Sequence, residues 1–597
     1  MSENSHLLHY HVNSNGFNDH TFEITLNILN PNPAGQTLCL PAWIPGSYMI
    51  RDFSKHIIAF AAYDHQQQPL SFKKIDKQTW QLAATSAAVK VVYRVYAFDY
   101  SVRGSYLAND FGFYNGTSLF LAVEGQTDIP IGITIEKPNS ADCLQWRVST
   151  TLATCPQTPL HEFGEYSAED YADLIDHPVL MTDYQMVEFE VDEVNFELVL
   201  AEGLDIDGQR IAADLSKICQ HHLSLFNSPA PIKRYVFMTL LCDDGFGGLE
   251  HRSSTALISP RADLPAVGTS NEISSGYRTF LSLCSHELFH TWLVKRIRPQ
   301  ELKDAVLSHE AYTQQLWIYE GFTSFYDDMA LVRSGVISPQ SYLEVLGQLL
   351  TRIERNPGRL QQTVSESSFD AWTRFYQQDE NAANAIVSYY TKGAVIAMGL
   401  DLTIRQQTQQ HLSLDDVVRA LWQQYGLTDI GTPENVIQEV TQLLGVDCSD
   451  YLHNAVNTTT DIDIQHLLAK QGIKVVKQSR SGLTDLGGSK NSQTISNDFG
   501  ATINKQTNSI VNAVTGSPAK NAGLAKGDIL VALDGWKVTA GNLQSILDRY
   551  PHGENLTLHV FRRGKLLPLS LPVEAAKQDS IYTEIADEEK AMQWLKS

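Results

Sequence analysis

Apolar positions along this chain recur first with the period of strands and later with the period of helices. Phe22–Leu29, Val89–Phe98, Ile131–Ile135 and Phe196–Leu200 alternate or run apolar over strand lengths, with Asn-Pro, Gly and Ser clusters between them. Such a series predicts a sandwich-like N-terminal β domain over residues 1–200. The texture then changes. Ile211, Leu215, Ile218, Cys219 and Leu223 fall at helical spacing within Asp207–Phe226, and Tyr235–Leu241 reads as a buried strand. Helical periods then dominate, in Thr279–Arg296, Glu310–Ser334, Ser338–Glu354, Ala385–Gln406 and Leu414–Tyr425. They predict a mainly helical second domain over residues 201–460.

Residues 461–597 form a predicted third domain. Its segment 478–498 is polar and rich in Gly and Ser, and reads as a long flexible loop. Short strands resume at Ile510–Val514, Ile529–Leu533 and Leu556–Phe561, with one helix at Asn542–Asp548. The fold class expected is therefore multidomain α+β. A chain of 597 residues exceeds one hydrophobic core, which agrees with that division.

Charge removes several partners. The formal net charge of −23 argues against nucleic acid or an anionic membrane as the main partner, since both need a basic footprint. No window holds the roughly 18 apolar residues a membrane span requires. Met1–Tyr10 lacks the basic start and apolar run of a secretory leader. The 7 cysteines are scattered, odd in number and without a C-x-x-C pair. Reduced thiols in a cytoplasmic protein are expected.

The chemistry concentrates at His286-Glu287-Leu288-Phe289-His290. Histidines at i and i+4 share one helical face, so both imidazoles can reach one ion. Zinc suits two such nitrogens with one carboxylate and an open position for water. Glu287 is rotated by about 100° from His286, where a general base can reach that water. Leu281, Leu283, Leu288 and Phe289 make the helix apolar, and buried histidines beside a buried glutamate need a partner. Glu320, set among Trp317, Ile318, Tyr319, Phe322 and Phe325 on the next apolar helix, is the candidate third ligand for one Zn2+ per chain. Asp327 and Asp328 are either acceptors for the histidine N–H groups or ordinary solvated positions. Lys295, Arg296 and Arg298 read as a basic cluster complementing a helix C-terminus.

Together these residues resemble the glycyl aminopeptidase family, PDZ-containing relatives of the aminopeptidase N-like gluzincins. The resemblance is carried by His286–His290 running on through Thr291–Pro299, and by Trp317, Glu320, Gly321, Phe322 and Thr323. It extends to Leu40–Tyr48 (LPAWIPGSY) and to Ser388–Gly393 (SYYTKG). It implies a thermolysin-like catalytic domain that hydrolyses the N-terminal residue of peptides with a free N-terminus, preferring Gly and Ala. It implies further that Gly247-Gly248-Leu249-Glu250-His251 is the substrate strand, with Glu250 binding the α-amine. The corresponding strand of aminopeptidase N-type enzymes has Ala, Met and Asn where this chain has Gly248, Leu249 and His251. Tyr390, with Tyr389 as the competing choice, is implied as the donor to the developing oxyanion.

Gly516–Leu524, Lys526–Leu530 and Asp534-Gly535 look like the core of a PDZ domain, which binds peptide ends by strand addition. Its carboxylate loop would fall near Asp498–Ala501, a poorer match, so a domain that only docks is an equal reading. Two rivals remain to the aminopeptidase: a zinc endopeptidase, which has no use for Glu250, and a non-catalytic PDZ adaptor, which has no use for Glu287.

Overall fold

The computed structural model describes residues 6–596 apart from 202, 204 and 228. Half of the stretch read for a leader, residues 1–5 of Met1–Tyr10, lies outside them. The chain forms two compact units, residues 1–311 with 421–432 and residues 312–420 with 433–597.

In the first unit the predicted alternation is physical. Val89, Val91, Tyr93 and Val95 are buried while Lys90, Val92, Arg94 and Tyr96 are not, so one face of the strand Val89–Tyr96 enters the core. A seven-stranded sheet runs in the order Ala153–Thr154, Gly164–Ala168, Ile131–Ile135, Leu8–Gly16, Thr21–Ile28, Val89–Tyr96, Ile57–Tyr63. Two four-stranded sheets complete the β-rich N-terminal region. A five-stranded sheet follows, in the order Tyr184–Val191, Val194–Ala201, Arg234–Cys242, Ser254–Pro260, Gly247–Glu250. Its three central strands are parallel and nearly wholly buried, and the helix Gly208–Leu225 connects the first two of them. The expected boundary near residue 200 falls inside this sheet. One apolar core runs through it, from Leu8 and Phe22 to Val236, Met238, Leu249 and Ala256.

The helix Ser275–Phe289 packs on the strands Gly247–Glu250 and Ser254–Pro260. Ser274 starts it by accepting a hydrogen bond from the backbone N–H of Tyr277. It ends at the metal motif, with His290 as the C-terminal cap, and does not continue to Arg296 as predicted. The backbone of Thr291–Ile297 turns instead, and Leu293 bridges Ile297. The helical reading failed because Trp292, Leu293 and Ile297 are all buried, which mimics helical spacing.

In the second unit the predicted helix Glu310–Ser334 is two helices, Leu316–Tyr319 and Gly321–Arg333, and Glu320 occupies the break. The predicted helix Ala385–Gln406 is likewise shorter, Thr391–Gln407, with Tyr390 at its N-cap. Gly321 and Gly393 explain how these elements meet. A Cβ on Gly321 would lie 2.5 Å from the Cα of Gly393, so the two helices cross through glycine backbones. That crossing sets Glu320 and Tyr390 at the starts of adjoining helices.

The last part of this unit carries a sheet of Ala501–Asn504, Ser509–Ala513, Ile529–Leu533, Asn555–Arg562 and Lys565–Pro572, with Trp536–Lys537 paired to Ile529–Leu533. The side-chain amide of Asn384 bonds the carbonyl of Ala513 and the N–H of Thr515, which fastens this module to the helices. No helix among the described residues is long and apolar enough to cross a membrane. All seven cysteines are free.

Candidate active site

The first unit brings four of the sequence-predicted residues together. Donor atoms of Glu250, Glu287 and His290, all buried, lie within 4.8 Å of one another. The ring of His286 is 4.7 Å from that of His290, as the i, i+4 spacing requires. The Nδ1 of His290 bonds the carbonyl of Leu293 at 2.7 Å. A carbonyl can only accept, so Nδ1 carries the proton and Nε2 keeps a lone pair to offer an ion. The turn that ends the helix is thus what orients this imidazole.

Glu250 belongs to the strand Gly247–Glu250, and Glu287 meets the face of that strand to which both Gly248 and Glu250 point. A Cβ on Gly248 would come within 2.0 Å of Oε1 of Glu287, so glycine stands at this position because the carboxylate rests against the backbone. The hydroxyl of Tyr235 donates to the carbonyl of Glu287 at 3.1 Å, and Nη2 of Arg103 donates to the carbonyl of Gly248 at 3.1 Å. Against Glu250 lies the segment Trp43–Tyr48. A Cβ on Gly46 would lie 2.4 Å from Oε1 of Glu250, and Gly46 has φ 95°, a conformation side chains resist. That oxygen has no hydrogen-bond partner among the described residues. Leaving a buried carboxylate oxygen unpaired is costly.

The second unit holds the other two. Glu320 is 1% exposed. Tyr390 is half-buried, its hydroxyl 3.4 Å from that of Tyr376. Burial raises the Tyr390 phenol well above its usual range and the neighbouring Glu320 carboxylate raises it further. Asp327 is buried and its carboxylate accepts from the N–H of Asp328.

The basic cluster does not cap a helix. Lys295 reaches the carboxylate of Asp176 at 2.5 Å, Arg296 bonds backbone carbonyls of Arg252, Thr291 and Pro231, and Arg298 pairs with Asp429. Sequence reasoning missed Asp176 altogether. It lies in the N-terminal β region, and nothing local distinguishes it from any loop aspartate.

An α+β chain with this imidazole–carboxylate cluster is a hydrolytic enzyme by its relatives as well. The Peptidase M61 N-terminal domain model matches residues 9–183, and the M61 glycyl aminopeptidase model matches residues 279–396. An aminopeptidase N family protein from Idiomarina loihiensis is 41% identical, over 98% of this chain and 100% of that one, with a TM-score of 0.95. The M1 zinc metallopeptidase of Deinococcus radiodurans is 12% identical over 76% of this chain and 94% of its own, with a TM-score of 0.47. No curated protein sequence matches. The chain is therefore a peptidase, and it belongs to the M61 glycyl aminopeptidase family.

Proposed function

We propose that this protein is a zinc aminopeptidase that removes small N-terminal residues, Gly and Ala first, from peptides with a free amine. The observation that carries this reading is the buried, unpartnered oxygen of Glu250 beside Glu287 and His290. Two carboxylates so close repel unless positive charge joins them, and a zinc ion and a substrate ammonium supply it. His286, His290 and Glu320 would hold the ion, a donor set of two nitrogens and one carboxylate that suits zinc. Zinc in that position lowers the pKa of water and polarises a peptide carbonyl.

The chain's own groups do the rest. Glu287 takes the proton of the attacking water and returns it to the leaving amine. Glu250 holds the α-ammonium, which makes the first peptide bond the one presented. The hydroxyl of Tyr390 donates to the carbonyl oxygen as it gains charge. The neighbouring Glu320 carboxylate supports Tyr390 in that role. Gly247 and Gly248 leave the strand bare so that substrate and Glu287 both approach its backbone.

For the C-terminal module, the PDZ reading in its docking-only form is favoured. The buried carboxylate of Asp498 stands in the expected carboxylate loop, where it would repel a peptide C-terminus. Metal analysis combined with hydrolysis of Gly- and Ala-arylamides tests the whole. Zinc bound in about equal amount to protein, with turnover abolished by chelation and restored by zinc, is the expected result. Zinc-loaded protein that cleaves neither arylamides nor peptides ends the proposal, and cleavage of amine-blocked peptides at equal rate favours the endopeptidase.

A further inference from the structure

Asp176 follows the short helix Tyr171–Ile175 in the N-terminal β region, far in sequence from the motif. Its side chain is 14% exposed and it collects three donors. Nζ of Lys295 lies at 2.5 Å, the backbone N–H of Arg252 at 2.8 Å and Nδ1 of His251 at 3.4 Å. Burial would raise this carboxyl, but Lys295 and then His251 outweigh it and hold it well below the usual carboxylate range.

The three donors come from the two segments that matter. His251 and Arg252 directly follow Glu250. Lys295 belongs to the turn after His290, and its backbone N–H donates to the carbonyl of His290 at 3.2 Å. Arg296 adds a parallel tie, since it bonds the carbonyls of both Arg252 and Thr291. One carboxylate thus pins the end of the substrate strand to the turn that orients a metal-site imidazole.

We propose that Asp176 is a positioning residue that fixes the distance between Glu250 and His290, and through it the register of the substrate amine. The proposal rests on the aminopeptidase reading, in which that distance counts off the first residue. His251 is one of the contacts by which Asp176 holds the strand.

The test uses full-length, zinc-loaded enzyme with free and N-acetylated Gly-arylamides. Asp176→Asn should raise KM for the free-amine substrate about tenfold and narrow the preference for it over the acetylated one, with zinc content unchanged. Lys295→Met removes the same tie from the other side, and serves if Asp176→Asn does not fold. The double variant should do little more than either single one. Unchanged KM in a folded, zinc-replete Asp176→Asn or Lys295→Met enzyme overturns the proposal while leaving the aminopeptidase standing. A purely structural role would lower the melting temperature and leave KM and the acetyl discrimination where they were. A wild type without turnover on either substrate removes the reading beneath it.

Discussion

Two groups of buried acids in this molecule are built in opposite ways. Asp485, in the polar segment 478–498, has a side chain 2% exposed. It accepts from the backbone N–H of Ser481 and Gly487, from the amide of Asn491, from the hydroxyls of Ser481 and Ser580, and from the guanidinium of Arg355. Burial pushes its carboxyl up, and these donors more than reverse that, holding it well below the usual range. Glu250 is as deeply placed, yet one of its oxygens has no partner among the described residues. The first acid completes a structure. The second leaves an oxygen unpartnered, and on the proposed reading the difference separates an acid that holds the fold from one that meets substrate.

Substitutions can break or sharpen that contrast. The largest effect is expected at Glu287, where Glu287→Gln keeps shape and removes the base. Turnover of Gly-arylamide should fall by about 10²–10⁴-fold while bound zinc, measured by elemental analysis, stays. Glu250→Ala comes next. It should cost about 10²-fold in kcat/KM on free-amine peptides. Because it deletes a poorly satisfied buried charge, thermal unfolding should show no loss of stability.

Asp485→Ala should do the reverse. It leaves several buried donors unpaired, so unfolding free energy should drop by about 3 kcal/mol, with activity per folded molecule retained. Its pH dependence has a definite sign. The folded carboxyl titrates below its unfolded value, so its stabilisation is complete above that unfolded value, near 3.8, and is lost as pH falls further. Urea titrations from neutrality down to about pH 2 should find the wild-type advantage over Asp485→Ala constant down to about pH 4 and shrinking below it. The smallest effect is expected at Gly46, where a Cβ meets Glu250 and the backbone has φ 95°. Gly46→Ala should cost about 1–2 kcal/mol and raise KM severalfold by displacing the Glu250 carboxylate.

How far the sequence could be read follows from where each signal lives. The strand Val89–Tyr96 stands where alternation put it, because burial of one face is written locally. The pairing of His286 with His290 was equally local. Three features were not. The end of the motif helix at His290 was masked by the buried Trp292, Leu293 and Ile297. The segment 478–498 reads as flexible by composition, yet its polar side chains bind Asp485 and one another. The link from Asp176 to Lys295 joins residues of different regions, and no spacing in the chain announces it.

The central claim is that Glu250 reads a free amine. It is tested most directly by kcat/KM for a Gly-arylamide and its N-acetyl form, in zinc-loaded wild type and Glu250→Ala. Wild type should prefer the free amine by about 10²-fold or more, and the variant should lose most of that preference. An undiminished preference in the variant, with zinc still bound, would contradict the account.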